Sequence, residues 1–124
     1  MKSYIKQTWV IDTNKVKDAE LIHKLVSEID MKSNVLEWAK ERDLLHNDNH
    51  TKQFMKLVEE VGELSNAILK DDKAEQIDAL GDIQVVLIIL AEQLGFDLDT
   101  CLECAYDEIK NRTGVTKNGS FHKD

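Results

Sequence analysis

Apolar residues recur along this chain at separations of three and four. Phe54, Leu57, Val61, Leu64 and Ile68 form one such stripe, and Val16, Ala19, Ile22, Val26 and Ile29 form another. That spacing predicts amphipathic helices. The first covers about residues 16–29, with Thr13 or Asn14 as cap. A second helical segment, carrying Val35, Leu36, Trp38 and Ala39, runs to about Leu45, and the pattern at Asp30 or Ser33 allows either a break between two helices or a bend in one. The polar stretch from His46 to His50 reads as a loop. Asn49 or Thr51 then caps a helix that runs to about Lys70. After a turn at residues 70–73, a third long helix runs to about Leu94 and is closed by Gly95 in the left-handed conformation. Asp99 or Thr100 opens a last helix that reaches about Arg112 and stops at Gly114. Asn118-Gly119 signals a tight turn, hence a small hairpin or a flap. Residues 1–12 carry no decisive pattern: Tyr4, Ile5, Trp9, Val10 and Ile11 are apolar enough to pack, an extended arm being one form. The result is an all-α fold, a bundle of four to five helices in one domain: an N-terminal extension (1–30), a helical core (31–114) and a C-terminal turn and tail (115–124).

Polar positions within the two central helices carry the chemistry. Glu59, Glu60 and Glu63 fall within roughly 100° of one helix, and Glu75, Asp78 and Asp82 within roughly 60° of the next. A helical hairpin lies side by side, so the two trios can face each other as a carboxylate cage. Residues 85–91 are apolar on every side, as in a helix buried all round. Val85, Val86 and Ile89 continue the face of Asp82, which places Asp82 near the interior. A buried carboxylate must be paired, protonated or metal-bound. No Lys or Arg occurs from Gln76 to Gln93, so a hard divalent cation, magnesium or manganese, is the expected counter-ion. Against this stand two plainer readings. Glu59 and Glu63 point nearly opposite the apolar stripe and suit a solvated face, and Glu75 suits a capping box with Asp72. Gly62 and Gly81, inside helices, suggest close approach of two backbones.

Composition narrows the class. The chain has 124 residues, 42% hydrophobic, no Pro and 5 Gly, enough for one core and for uninterrupted helices. A net charge of −8 argues against tracking a nucleic-acid backbone, while an anionic small ligand remains open if a metal bridges it to the acids. The N-terminal stretch lacks the apolar core of a signal peptide, and no apolar run suits a bilayer span. A cytoplasmic protein without a membrane partner is the expectation. Cys101 and Cys104 lie on a helical pattern and read as buried core thiols rather than a zinc or redox motif. His46 and His50 flank turn residues and read as loop rather than metal site.

Glu60-Val61-Gly62-Glu63 followed by Leu80-Gly81-Asp82-Ile83 resembles the MazG-like all-α nucleoside triphosphate pyrophosphohydrolases, whose mark is ExxE on one helix and ExxD on the next. Glu59 fits the longer EExxE form. The likeness covers about residues 38–121 and is greatest for compact single-domain members. One position departs from it: Ala79 stands where ExxD has Glu, with Asp78 one residue earlier. The resemblance implies a Mg²⁺-dependent enzyme, with Mn²⁺ as an alternative, that splits a (deoxy)nucleoside triphosphate into monophosphate and pyrophosphate. It implies Glu60, Glu63 and Asp82 as metal ligands, Asp78 as substitute ligand with Glu75 in support, and Glu59 as base. Lys110, Asn111, Arg112 and Lys117 become candidates for binding triphosphate, with Lys56, Lys52 and a base-stacking Trp38 as weaker ones. For Lys110 and Arg112 a helix-dipole role is the plainer reading, and for Trp38 a place in the core. The family relation further implies a homodimer or homotetramer, in which neighbouring subunits complete both the bundle and the site. Two other readings stand beside it: a catalytically weak or inactive nucleotide-binding or oligomerisation module, supported by Ala79, and a phosphoribosyl-ATP pyrophosphohydrolase, for which the sequence offers no specific signature.

Overall fold

The computed structural model describes residues 19–22 and 30–124. Residues 19–22 are helical. The stretch at 1–12 lies outside the described residues, as does most of the expected helix at 16–29. Four helices follow: α1 (Met31–Glu41), α2 (His50–Leu69), α3 (Lys73–Gln93) and α4 (Leu98–Ile109). A short 3-10 turn, Asn47–Asn49, precedes α2, and a two-stranded antiparallel hairpin, β1 (Gly114–Lys117) and β2 (Ser120–Lys123), follows α4. The all-α expectation holds, with this hairpin as its one β element among the described residues.

Three of these four helix starts are set by short acidic caps, whereas Asn49, which precedes α2, makes no side-chain capping bond because the 3-10 turn Asn47–Asn49 leads directly into the helix. Asp30 accepts from the Ser33 backbone N–H and hydroxyl, Asp72 from the Glu75 N–H at 3.1 Å, and Asp97 from the Thr100 N–H and hydroxyl. Each satisfies an otherwise orphaned first-turn donor. The last helix therefore opens at Asp97, earlier than Asp99 or Thr100, because Asp97 is the residue whose carboxylate reaches the N–H three residues on. Three of these helix ends share one device, and of the four α4 alone closes without it, at a right-handed Lys110. Asp43, Asp71 and Gly95 adopt φ of 60°, 52° and 85°. The next N–H reaches back in each case: Leu44 to Ala39, Asp72 to Ala67 and Phe96 to Ala91, at 2.8–3.0 Å. These are Schellman closures. The first of them stops α1 at Glu41, short of the expected Leu45.

α3 is the hub. It packs along α2 and also touches α1, the 3-10 turn and α4, whereas α1 and α2 do not meet. Ala39, Ala67, Ala79, Val86, Ile89 and Ala91 form the buried apolar core. Small residues dominate it because the helices approach closely and leave little room for larger side chains. Residues 85–91 are buried or half-buried all round, as their pattern indicates. Lys32 ties the start of α1 to the start of α4 through Asp97 and Asp99.

Several expectations are corrected. On α2 the face turned inward is Gln53, Leu57, Glu60, Leu64 and Ala67, rotated about 60° from the apolar stripe. Phe54, Val61 and Ile68 are half or more exposed as a result. A Cβ at Gly62 or Gly81 would meet nothing within 4 Å, so neither marks a close backbone approach within the chain. Cys101 and Cys104 are exposed, because α4 packs only on α3 among the described helices, with Lys32 of α1 reaching just its first turn at Asp99. Gly114 does not end α4, which stops at Ile109. It opens β1 instead, where a Cβ would lie 2.2 Å from the His122 carbonyl oxygen. Asn118 and Gly119, both at positive φ, make the two-residue turn that joins the strands.

Candidate functional site

The helical hairpin places the acids on two adjoining grooves that share Asp82. One groove, about 470 Å³, is lined by Glu63, Asn66, Lys70, Glu75, Asp78, Ala79 and Asp82. The other, about 350 Å³, lies between α1, α2 and α3, with Trp38, Gln53, Lys56, Glu60, Asp82 and Val86 in its wall. Five of the six acids singled out in the sequence thus line a groove. Glu59 stands outside both, on the exposed flank of α2 beside Thr51, Met55 and Val58.

Glu60 is the distinctive member. It is only 5% exposed, since it sits on the inward face of α2. Lys56, one turn earlier, approaches Glu60 Oε1 at 3.3 Å and Glu59 Oε1 at 3.5 Å. Glu60 Oε2 is buried without a hydrogen-bond partner. Glu63 lies one turn further along the helix. Its carboxyl is held above the ordinary carboxylate range, first because a proton on it can bridge to Glu60 and then because the Glu60 charge repels a second one. Burial and Glu59 push the same way, and Lys56 pulls back. Glu63 resisting ionisation beside Glu60, whose second buried oxygen has no partner, marks negative charge that Lys56 only partly offsets.

Asp82 was placed near the interior by the burial of Val86 and Ile89. Those two residues are buried, but Asp82 is exposed. It lines both grooves. Asp78 lines the same groove as Glu63, Glu75 and Asp82, while Ala79 forms part of its floor at 3% exposure. The position that carries Glu in ExxD therefore faces the groove, and a methyl group there leaves space beside Asp78.

The donor set suits a hard divalent ion. All of its members are carboxylate oxygens, and the unpartnered Glu60 oxygen is the kind of atom that an ion satisfies. Among the described residues, no three Asp, Glu, His or Cys side chains converge closely enough to form a coordination sphere by themselves. A metal here would draw the acids of α2 and α3 together across the groove.

The remaining candidates are scattered. Lys110, Asn111, Arg112 and Lys117 line neither groove and belong to the exposed segment after α4. Lys52 lies beside Glu59 and Lys56 on the outer flank. Trp38 is not a core residue: it is 45% exposed, its ring stacked under the Arg42 guanidinium at 4.3 Å, and it borders the smaller groove. The histidines do not converge. His46 pairs with Asp43, which raises its pKa, and His50 Nδ1 meets the Asn47 carbonyl oxygen at 2.6 Å. Lys56 as internal counter-ion was overlooked in the sequence, although its spacing of three and four to the acids signals it. Asn66 and Lys70, three and seven residues after Glu63, were likewise readable from helical spacing as groove residues.

Comparison with known proteins follows the same lines. The sequence model of the phosphoribosyl-ATP pyrophosphohydrolase family matches residues 31–108, the span that holds every acid of the two grooves. An uncharacterised 18.2 kDa protein from the rep–hol intergenic region of Haemophilus phage HP1 (strain HP1c1) is 41% identical over 64 residues, which is 52% of this chain. The chain spans 39% of the length of that curated relative. No solved structure matches the chain.

Proposed function

The chain belongs to the phosphoribosyl-ATP pyrophosphohydrolase family, within the MazG-like all-α nucleoside triphosphate pyrophosphohydrolases, and from that premise we propose that it cleaves a nucleoside triphosphate, with a divalent metal, to monophosphate and pyrophosphate. The family is one of pyrophosphohydrolases acting on nucleotides. The (deoxy)nucleoside triphosphate substrate, the Mg²⁺ requirement and a housekeeping role in the nucleotide pool are our reading. The observation that carries it is the buried, unpartnered Glu60 oxygen, which borders the smaller groove with Asp82, while Glu63 one turn on lines the larger groove with Asp78 and the same Asp82.

In this reading Glu60, Glu63 and Asp82 hold Mg²⁺ (or Mn²⁺), with Asp78 taking the place of the absent ExxD glutamate and Glu75 in support. The ion supplies charge neutralisation of the polyphosphate and of the leaving pyrophosphate. Glu59, exposed next to the ligands, accepts the proton of the attacking water. The water oxygen bonds to the α phosphorus, and the α–β bridging bond breaks as pyrophosphate leaves. Trp38, at the mouth of the smaller groove, offers a face to a base once Arg42 moves aside. The protein works in the cytoplasm as a homodimer or homotetramer. The exposed Phe54, Val61 and Ile68 on α2 and Leu102, Tyr106 and Ile109 on α4 support assembly, because so much adjacent apolar surface is unusual on a monomer.

A panel of nucleoside and deoxynucleoside triphosphates, together with phosphoribosyl-ATP, tests this, followed by phosphorus NMR with Mg²⁺ and then with EDTA. Metal-dependent monophosphate and pyrophosphate are expected. Orthophosphate and diphosphate would relocate the cleaved bond. No turnover by folded protein would favour the second reading, a nucleotide-binding or oligomerisation module without catalysis. Ala79 on the groove floor supports that alternative, since a methyl group replaces a carboxylate there.

A further inference from the structure

We propose that Lys70 and Asn66 form the subsite for the outer phosphates of the substrate, at the turn end of the larger groove. The subsite belongs to the reaction proposed above and rests on that reading. The two grooves follow one another along the helical hairpin. On α3 the smaller takes its lining from Asp82 to Ile89 and the larger from Glu75 to Asp82. On α2 the smaller takes Gln53 to Glu60 and the larger Glu63 to Lys70. The smaller is walled by Trp38, Leu44, Val85, Val86 and Ile89, an apolar surface that suits a nucleoside. With the reacting phosphate at the acids around Asp82, the rest of the phosphate chain runs into the larger groove, toward the α2–α3 turn.

Few groups in that groove can receive an anion. Apart from Ala79, its lining consists of carboxylates and two other side chains, Asn66 and Lys70. Ionised carboxylates only accept hydrogen bonds, so Asn66 and Lys70 are the lining side chains that can donate to a phosphate. Both are uncommitted: neither side chain has a hydrogen-bond or ion-pair partner among the described residues. Lys73, across the turn, is by contrast held by Asp71 at 2.9 Å. The backbone aims Lys70 at the groove. It keeps right-handed helical dihedrals, φ −86° and ψ −6°, its N–H bonds to the Asn66 carbonyl oxygen at 3.0 Å, and the chain turns left-handed only at Asp71. Side chains on a helix tilt toward its N-terminus, so Lys70 leans back over Asn66, one turn earlier, in the direction of Glu63. Ala79 keeps the ammonium available. A glutamate on the groove floor would add one more carboxylate to capture Lys70 and to repel phosphate, whereas the floor here is a methyl group.

Inorganic pyrophosphate, the leaving group itself, is the first probe. Both side chains are exposed, so their removal leaves the fold intact. Calorimetry with Mg²⁺ present should find pyrophosphate bound to the wild type, at least about tenfold more weakly to Lys70→Ala and about fivefold more weakly to Asn66→Ala. A nucleoside monophosphate, which does not extend to the turn end, should bind all three proteins alike. Lys70→Arg should recover most of the pyrophosphate affinity, because it returns a charged donor. In turnover, Lys70→Ala should raise the KM for triphosphate at least about tenfold and leave kcat within about threefold. Pyrophosphate bound equally by wild type and Lys70→Ala, an equal loss for the monophosphate, an arginine variant as weak as the alanine one, or no pyrophosphate binding by the wild type would overturn the inference. Pyrophosphate held through Lys70 in a protein that hydrolyses nothing would refute the reaction and keep the subsite. Turnover with a KM that Lys70→Ala leaves unmoved would do the reverse.

Discussion

Glu60 and Asp82 border the same groove from neighbouring helices, yet one is almost wholly buried and the other is open to solvent. Their surroundings on the helix suggest the opposite. Glu60 sits among acids and beside Lys56, whereas Asp82 precedes the most apolar run of the chain. The difference lies in how each helix is turned. α2 is rotated so that Glu60 shares a face with Leu57, Leu64 and Ala67. α3 presents Asp82 at the point where two grooves meet. An acid's burial is thus decided by what the facing helix leaves open, and the buried acid is the one whose charge is left incompletely matched.

The largest expected effect follows from that contrast. Glu60→Gln should lower turnover at least about a hundredfold, because the residue is both ligand and organiser of Glu63. It should raise the thermal stability of the metal-free protein, since a buried charge that Lys56 meets at only one of its two oxygens is removed. Steady-state kinetics and calorimetry in EDTA read the two together. A Glu60→Gln protein that loses both activity and stability would break the comparison.

Asp82→Asn should also cost activity, about tenfold to a hundredfold, but leave the metal-free Tm unchanged, because the exposed carboxylate has little to lose on folding. Asp78→Ala should follow it with a smaller loss. Metal itself sharpens the contrast. At a hundred times its Kd, an ion that binds only the folded chain adds about 2.7 kcal/mol. A scan with Mg²⁺ or Mn²⁺ should show that gain in the wild type and lose most of it in Glu60→Gln.

Acidity gives a subtler test. The Glu63 carboxyl titrates above its ordinary 4.5 in the folded chain, so the folded state holds this proton more tightly than the unfolded state. Metal-free stability should therefore fall as pH rises through the window that begins at about 4.5 and ends at the folded value, and recover on acidification. Asp97, held below its ordinary 3.8 chiefly by Lys32, acts with the opposite sign: its contribution is lost only as pH drops below about 3.8. Glu63→Gln should remove the first slope and keep the second, as followed by urea midpoints across pH. The smallest effect is expected from Lys56→Met. It removes the cation that draws the Glu63 titration down, so carbon-detected NMR should show that titration at higher pH.

Much of the fold was legible in the sequence. The two long helices, their turn, the Asp72 cap, the left-handed Gly95 and the Asn118-Gly119 hairpin all rest on local chemistry, which sequence displays directly. The acids of the candidate site were legible for the same reason, since helical spacing fixes which of them share a face. What failed was everything set by a neighbour. The apolar stripe of α2 points to an inward face that α3 does not cover: packing brings in a face that is partly polar and leaves Phe54, Val61 and Ile68 outside. The cysteines and Trp38 were assigned to a core that the single chain does not build around them. The left-handed Asp43 and Asp71 escaped notice because glycine is the usual signal for that closure.

The Lys32 clamp bears on how the chain reaches this shape. Most other packing joins elements adjacent in sequence, above all α2 with α3, although α3 also touches α1 and the 3-10 turn, and adjacent elements assemble quickly. Lys32 instead meets partners 65 and 67 residues away, so its contacts close the longest loop of the described structure and are expected to form after the folding barrier has been crossed. Breaking the clamp with Lys32→Met should then hasten unfolding and leave the folding rate nearly unchanged. The clamp is a lock on the lifetime of the native state, set apart from the steps that create it.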